Sequence, residues 1–197
     1  TATDNWHSSQ ARTRTVAEVR AVLDMIAQDL RQAVATTNFP ITIDHAPASY
    51  GSTNSAIQFV QILPASGTNQ YAIAAIRYDV LGSNNTFRLI RWKEPLPLDA
   101  SGTLPGTITD SQPFGTPASL ADGLAAFRIA APAEAGIIPA GARVPPYLDI
   151  YLELLGDEDR RAAAGLSGTP QLQFVERHAL RFSQRVFLPT VNRWNLP

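Results

Sequence analysis

Val16-Ala17-Glu18-Val19-Arg20-Ala21-Val22-Leu23-Asp24-Met25-Ile26-Ala27-Gln28-Asp29-Leu30-Arg31-Gln32-Ala33-Val34 decides how this chain reads. Val16, Val19, Leu23, Ile26, Leu30 and Val34 follow a three-then-four spacing that keeps one helical face apolar for about five turns. Glu18, Arg20, Asp24, Gln28, Arg31 and Gln32 fall mostly elsewhere, so the stretch is an amphipathic helix built to lie on something. Thr15 and Glu18 stand in the capping-box relation and offer a start at Thr15. Ser8 to Arg14 holds neither Gly nor Pro, which leaves an earlier start open. The chain opens on Thr1 rather than Met, and the expectation is that a leading segment has been removed.

After this helix the apolar period changes from 3.6 to 2. Ser55 to Leu63, Tyr71 to Leu81, Thr86 to Lys93, Leu124 to Ala131 and Tyr147 to Leu155 read as strands, with a final one around Leu180 to Leu188. Gly82-Ser83-Asn84-Asn85 tolerates positive φ and should join the second and third as an antiparallel hairpin. In the fifth, Leu148, Ile150, Leu152 and Leu154 alternate with Tyr147, Asp149, Tyr151 and Glu153, as in a sheet with one buried and one wet face. The helix is long enough to cover several strands at once. Pro95 to Asp122, Pro132 to Pro146 and Gly156 to Pro170 read as surface loops, the first two being candidate contact regions.

Composition bounds the function classes. The chain has 197 residues, 45% of them hydrophobic, which fits one sizeable core and argues against disorder. Sixteen basic residues against seventeen acidic ones give a net charge of −1, so there is no electrostatic footprint for nucleic acid or an anionic membrane surface. Zero cysteines exclude disulfides, zinc–thiolate sites and cysteine nucleophiles. No run of about 18 apolar residues occurs, so a membrane anchor would have to lie upstream of the chain.

Catalytic signals are thin. His7, His45 and His178 lie far apart and match no metal-ligand spacing. Gly165-Leu166-Ser167-Gly168 lacks the GxSxG form of a nucleophile elbow and reads as a turn. Asp157-Glu158-Asp159-Arg160-Arg161 lacks the alternate ligand spacing of a calcium loop and reads as a solvated charge run. Asp44-His45 has no nucleophile signature nearby, and Trp6, Trp92 and Trp194 are scattered rather than gathered as a stacking set. No catalytic, cofactor-binding or metal site is expected, and the chain reads as a non-enzyme.

Several phrases, in this order, resemble a known family. Leu23-Asp24-Met25-Ile26-Ala27-Gln28-Asp29-Leu30-Arg31-Gln32-Ala33 resembles the helix segment of J-type minor pseudopilins of type II secretion and of W-type minor pilins of type IV pili. Ala56-Ile57-Gln58-Phe59, Ile76-Arg77-Tyr78-Asp79-Val80 and Phe87-Arg88-Leu89-Ile90-Arg91-Trp92 are similar to the family's succession of strands. Asp122-Gly123-Leu124-Ala125-Ala126-Phe127-Arg128-Ile129 and then Pro146 to Leu154 resemble the strands that follow. The family's leader and hydrophobic anchor helix are not in this chain, and the loops at Pro95 to Asp122 and Pro132 to Pro146 are long for it.

The resemblance implies an α+β, pilin-like fold: one long N-terminal amphipathic helix packed on antiparallel β-sheet with long loops. It implies a single domain over 1–197, with 1–36 a truncated helix or stem and 37–197 a β-rich head. The implied role is a structural subunit at or near the tip of a pseudopilus or pilus, with J-type placed ahead of W-type. Its partners would be other minor and major pseudopilin or pilin subunits and, through an absent N-terminal helix, the bacterial inner membrane. The head would be periplasmic, or surface-exposed in an assembled pilus, with no nucleic-acid partner and no cofactor. Trp6 and Ala11 on the stem are the candidate partner contacts. An adhesin or ligand-binding head that uses the long loops is the alternative, distinguishable by saturable glycan or matrix binding. A hydrolase built on His45 or His178 is a third reading, which a turnover lost on mutating either would favour.

Overall fold

The computed structural model describes residues 2–34, 40–63, 72–83, 86–96, 116–132 and 145–189, with helix side chains from Ser9 onward. Helix α1 (Ala2–Arg31) is followed by strands β1 (Ala33–Val34), β2 (Thr42–Ser49), β3 (Ser52–Leu63), β4 (Ala72–Ser83), β5 (Thr86–Leu96), β6 (Ala118–Asp122), β7 (Leu124–Ala130) and β8 (Tyr147–Leu154). Helices α2 (Asp157–Ala164) and α3 (Gly168–His178) and strand β9 (Leu180–Phe187) complete the order.

The chain is mostly antiparallel sheet, and its larger sheet is a curled half-barrel. This overturns the expected pilin-like α+β layout of one helix laid on sheet. Six strands form the curled sheet in the order β1-β3-β4-β5-β6, with β2 also paired to β3, and a second sheet runs β7-β8-β9. The cause lies in the register. Shifts between Ala46 and Ser49 and between Leu89 and Ile90 interrupt the ladders of that sheet. Such irregularities increase local twist and let a sheet turn back on itself. Period-2 alternation gives each strand a face but carries no signal for that curvature.

α1 touches β6, β8 and β9 and shares one apolar cluster with both sheets. Leu23, Ile26 and Leu30 join Phe59, Ile76 and Tyr78 from the curled sheet and Leu124, Phe127, Leu152 and Val186 from the three-stranded one. The helix is thus clasped between two sheets. It spans 30 residues, or about 45 Å at 1.5 Å per residue. Thr15 lies inside it and donates its hydroxyl to the carbonyl of Ala11 at 3.1 Å, so the proposed capping box is not the start of the helix.

Two further expectations are corrected. Gly156 to Pro170, read as a loop, holds α2 and the start of α3. Three acids in the first turn of α2 face the positive end of the helix dipole, and Ala162 to Ala164 are strong helix formers. β6 occupies Ala118–Asp122 within the stretch read as the loop Pro95 to Asp122, and β5 itself extends to Leu96. Residues 97–115 and 133–144 lie outside the described residues, as do Asn84, Asn85 and Trp194. β2 lies upstream of the first strand expected from the sequence, which begins at Ser55. It meets β3 through Tyr50 and Gly51, with φ of 45° and 79°. Two positive φ values define the tight primed turn that suits a hairpin. A tyrosine in that conformation is unusual. Its ring is buried and packs edge-on against Phe87 at 5.2 Å, which holds the strained backbone in place.

Candidate functional site

The most chemically distinctive cluster lies where the last turn of α1 meets the middle of the curled sheet. Asp29 is on the helix, Tyr78 on β4 and Arg91 on β5, and the ladder sets Tyr78 directly opposite Arg91. Tyr78 Oη donates to Asp29 Oδ2 at 2.5 Å. Arg91 grips the same carboxylate with two N–H groups, Nε to Oδ2 at 2.8 Å and Nη2 to Oδ1 at 3.1 Å. The Asp29 side chain keeps only 8% of its exposure and that of Arg91 18%. Burial, and then the adjoining Asp29 carboxylate, push the Tyr78 phenol far above its ordinary range. Burial is the largest single influence on Arg91 and works against its charge, but the bonds it donates to Asp29, together with the charges of Tyr78 and Asp29, outweigh it and hold the guanidinium protonated. A fixed phenol and a fixed guanidinium hold one carboxylate by three bonds and form a clamp. Gln32, at the end of the same helix, adds a second polar link by accepting from Gln61 Nε2 on β3.

A second buried polar node joins the two sheets. Asn54 on β3 is fully buried; its Nδ2 donates to the carbonyl of Pro47 at 2.6 Å and to Ser49 Oγ at 3.0 Å. The Phe127 amide on β7 donates to Asn54 Oδ1 at 2.8 Å, and the Ile129 amide to Ser55 Oγ at 3.2 Å. Ser49 Oγ donates to the Ala125 carbonyl at 2.6 Å, at the irregularity of β7. Side chains of one sheet therefore satisfy backbone groups on the edge of β7 that β8 does not use, as buried amides require.

The outer face of β7-β8-β9 is built differently. Asp149 pairs with Arg185 through two bonds of 2.8 Å, and Glu153 receives Arg128 at 3.0 Å and Arg181 at 3.6 Å. Arg185 holds the Asp149 carboxyl below its usual range and also stacks over the Tyr147 ring, 3.9 Å from its centroid.

No family model, curated protein or solved structure matches this chain.

The residues singled out from sequence fall as follows. Val19, Leu23, Ile26 and Leu30 are buried in the shared core, and Val16 is half-buried near the outer end of the covered stretch. Val34 is buried as well, but in β1, where it faces Val60 of β3, and not on the helix. Ala11 is exposed on α1, and Trp6 lies on the same helix with its side chain outside the description. His45 is exposed on β2, and His178 on α3 pairs with Asp159 at 3.0 Å while stacking on Phe174. His7 is in α1, so the three histidines stand on separate elements. Among the described residues no group of three or more His, Cys, Asp or Glu could hold a metal ion. No described helix is long and apolar enough to cross a membrane.

Sequence reasoning did not gather Asp29, Tyr78 and Arg91. A signal was present: Asp29 sits three residues after Ile26 and beside Leu30, inside the apolar face. An acid there needs a buried partner.

Proposed function

We propose that this chain is a structural assembly subunit of the minor pseudopilin or minor pilin class, with the J-type of type II secretion ahead of the W-type of type IV pili. The observation that carries the reading is the division of α1. Its C-terminal half is fixed in the head by apolar burial and by the Asp29 clamp, while Ser9 to Arg14 stand exposed as a stem. A helix anchored at one end and bare at the other can join a helical bundle without disturbing the head. The ordered phrases add support, since Asp29, Tyr78 and Arg91 come from three of them. The reading rests on these phrases and on the stem, and not on the sheet architecture. Other pseudopilin or pilin subunits would pack on the stem, and an upstream apolar helix would hold the subunit in the inner membrane with its head in the periplasm.

Two measurements test it. The gene upstream of Thr1 should encode a short basic leader, a small residue before Phe or Met at the cleavage point, a glutamate soon after, and about 20 apolar residues. An ordinary signal peptide without a retained anchor would remove the reading. Ala11→Glu should weaken co-purification of co-encoded pilin-like subunits while leaving the melting temperature of the head nearly unchanged, because exposed substitutions usually alter stability by less than about 0.5 kcal/mol. Unimpaired co-purification would place the partner contact elsewhere, and saturable glycan binding by the isolated head would favour an adhesin.

A further inference from the structure

We propose that the outer face of β7-β8-β9 docks a neighbouring subunit of the same assembly through an acidic, partly apolar patch on that neighbour; this rests on the assembly reading above. The face carries three guanidiniums against two carboxylates, and the two signs sit at different depths. Arg128, Arg181 and Arg185 keep 52%, 57% and 51% of their exposure, while Glu153 and Asp149 keep only 17% and 23%. An approaching partner therefore meets cations first. Glu153 is shared by two arginines, so their N–H donors outnumber the acceptors on offer. A carboxylate from outside fits that surplus bidentately.

The aromatic residues argue for a protein rather than a small ligand. Phe187 is 67% exposed and Tyr151 42%, the latter aligned with Arg128 across the β7–β8 ladder. Exposed Tyr and Phe beside Arg is the composition of interaction hot spots, and an open sheet face suits a protein surface better than a compact molecule, which favours a concavity. Asp149 holds Arg185 by two bonds and the Tyr147 ring packs edge-on against Phe187 at 6.1 Å, so little ordering entropy is lost at those two positions on docking. Three strands about 4.8 Å apart, of seven, eight and eight residues at about 3.3 Å each, give roughly 370 Å² of face. That is near half of the ~800 Å² each partner contributes to a standard interface, so this face works together with the stem rather than alone. A second copy of the same face is a poor occupant, because it would set outward arginines against arginines.

The test uses the full-length protein in its host, with p-benzoylphenylalanine placed singly at Tyr151, at Phe187 and, as a control, at Leu172 on α3, which is 43% exposed. Irradiation should link positions 151 and 187 to one other assembly subunit, identified by mass spectrometry at a peptide containing Asp or Glu, and should not link position 172 to it. Arg128→Gln, which keeps the side-chain stem, should lower the yield at 151 about tenfold, or ~1.4 kcal/mol, with an unchanged melt. Absent crosslinks at 151 and 187 in a protein that still co-purifies with other subunits would overturn the docking face and leave the assembly reading standing. Absent crosslinks with no co-purification would overturn both. Crosslinks from 151 to the chain's own residues, to an identical copy, or equally from 172 would also overturn the proposal.

Discussion

Tyr78 Oη donates a 2.5 Å hydrogen bond to Asp29 Oδ2, so a hydroxyl in the middle of β4 closes on the last turn of α1. Arg91 takes the same carboxylate from the next strand. Removing Asp29 would leave a buried hydroxyl and a largely buried cation without their partner. Asp29→Ala should therefore cost about 3 to 5 kcal/mol in urea titration. Tyr78→Phe, which leaves the Asp29–Arg91 pair, should cost about 1 to 3 kcal/mol. The double variant should lose clearly less than the sum of the two. Full additivity would mean that the three groups do not act as one clamp.

Leu30→Ala removes a side chain with no exposure in the core shared by α1 and both sheets. It should destabilise by about 2 to 5 kcal/mol through lost burial and the cavity left behind. Gln28→Ala, two residues earlier on the exposed side of α1, should change stability by less than about 0.5 kcal/mol. Equal midpoint shifts for the two variants would show that the wrong helix face has been assigned to the core.

Asn54→Ala strips partners from the Pro47 carbonyl and the Phe127 amide together. A loss of about 2 to 4 kcal/mol is expected, since each buried polar group left unpaired costs about 1 to 3 kcal/mol. Hydrogen exchange at the Phe127 amide should accelerate more than exchange at amides within β4. A uniform acceleration would mean that Asn54 supports global stability without joining the two sheets.

Glu18 is an exposed residue of α1, yet partial desolvation of its carboxyl, followed by the charges of Asp122 and Asp157, raises it above its usual range, with Arg14 and Arg160 opposing. The folded state therefore binds the Glu18 proton more tightly than the unfolded chain. The resulting stability is fully present below the unfolded pKa and is lost as pH rises through the folded one. Glu18→Gln should raise the melting temperature at pH 7, and the gain should vanish below about pH 4, where wild-type Glu18 is itself protonated. A gain that persists at low pH would point to helix propensity instead of charge.

Much of the local structure was legible in the residues. The alternation of β8 appears in the structure with Leu148, Ile150, Leu152 and Leu154 buried, and Val19, Leu23, Ile26 and Leu30 lie in the core. β9 occupies Leu180–Phe187, close to the strand read around Leu180 to Leu188. The candidate site was not legible. Asp29, Tyr78 and Arg91 are separated by 49 and 62 positions from helix to strands, and nothing within any one segment says that they meet. β2 was missed because its turn begins with Tyr50, a residue whose positive φ is tolerated only when its ring is packed elsewhere.

Sequence alone determined which residues seek burial and with what period, because side-chain polarity and backbone repeat act over a few residues and are written in order along the chain. The tertiary structure alone decided that the larger sheet curls into a half-barrel, that α1 is held between two sheets, and that an acid on its buried face meets a phenol and a guanidinium. Those outcomes depend on ladder irregularities, on edge groups that must be satisfied from another sheet, and on contacts between distant segments. They take shape only when all the strands compete for the same core.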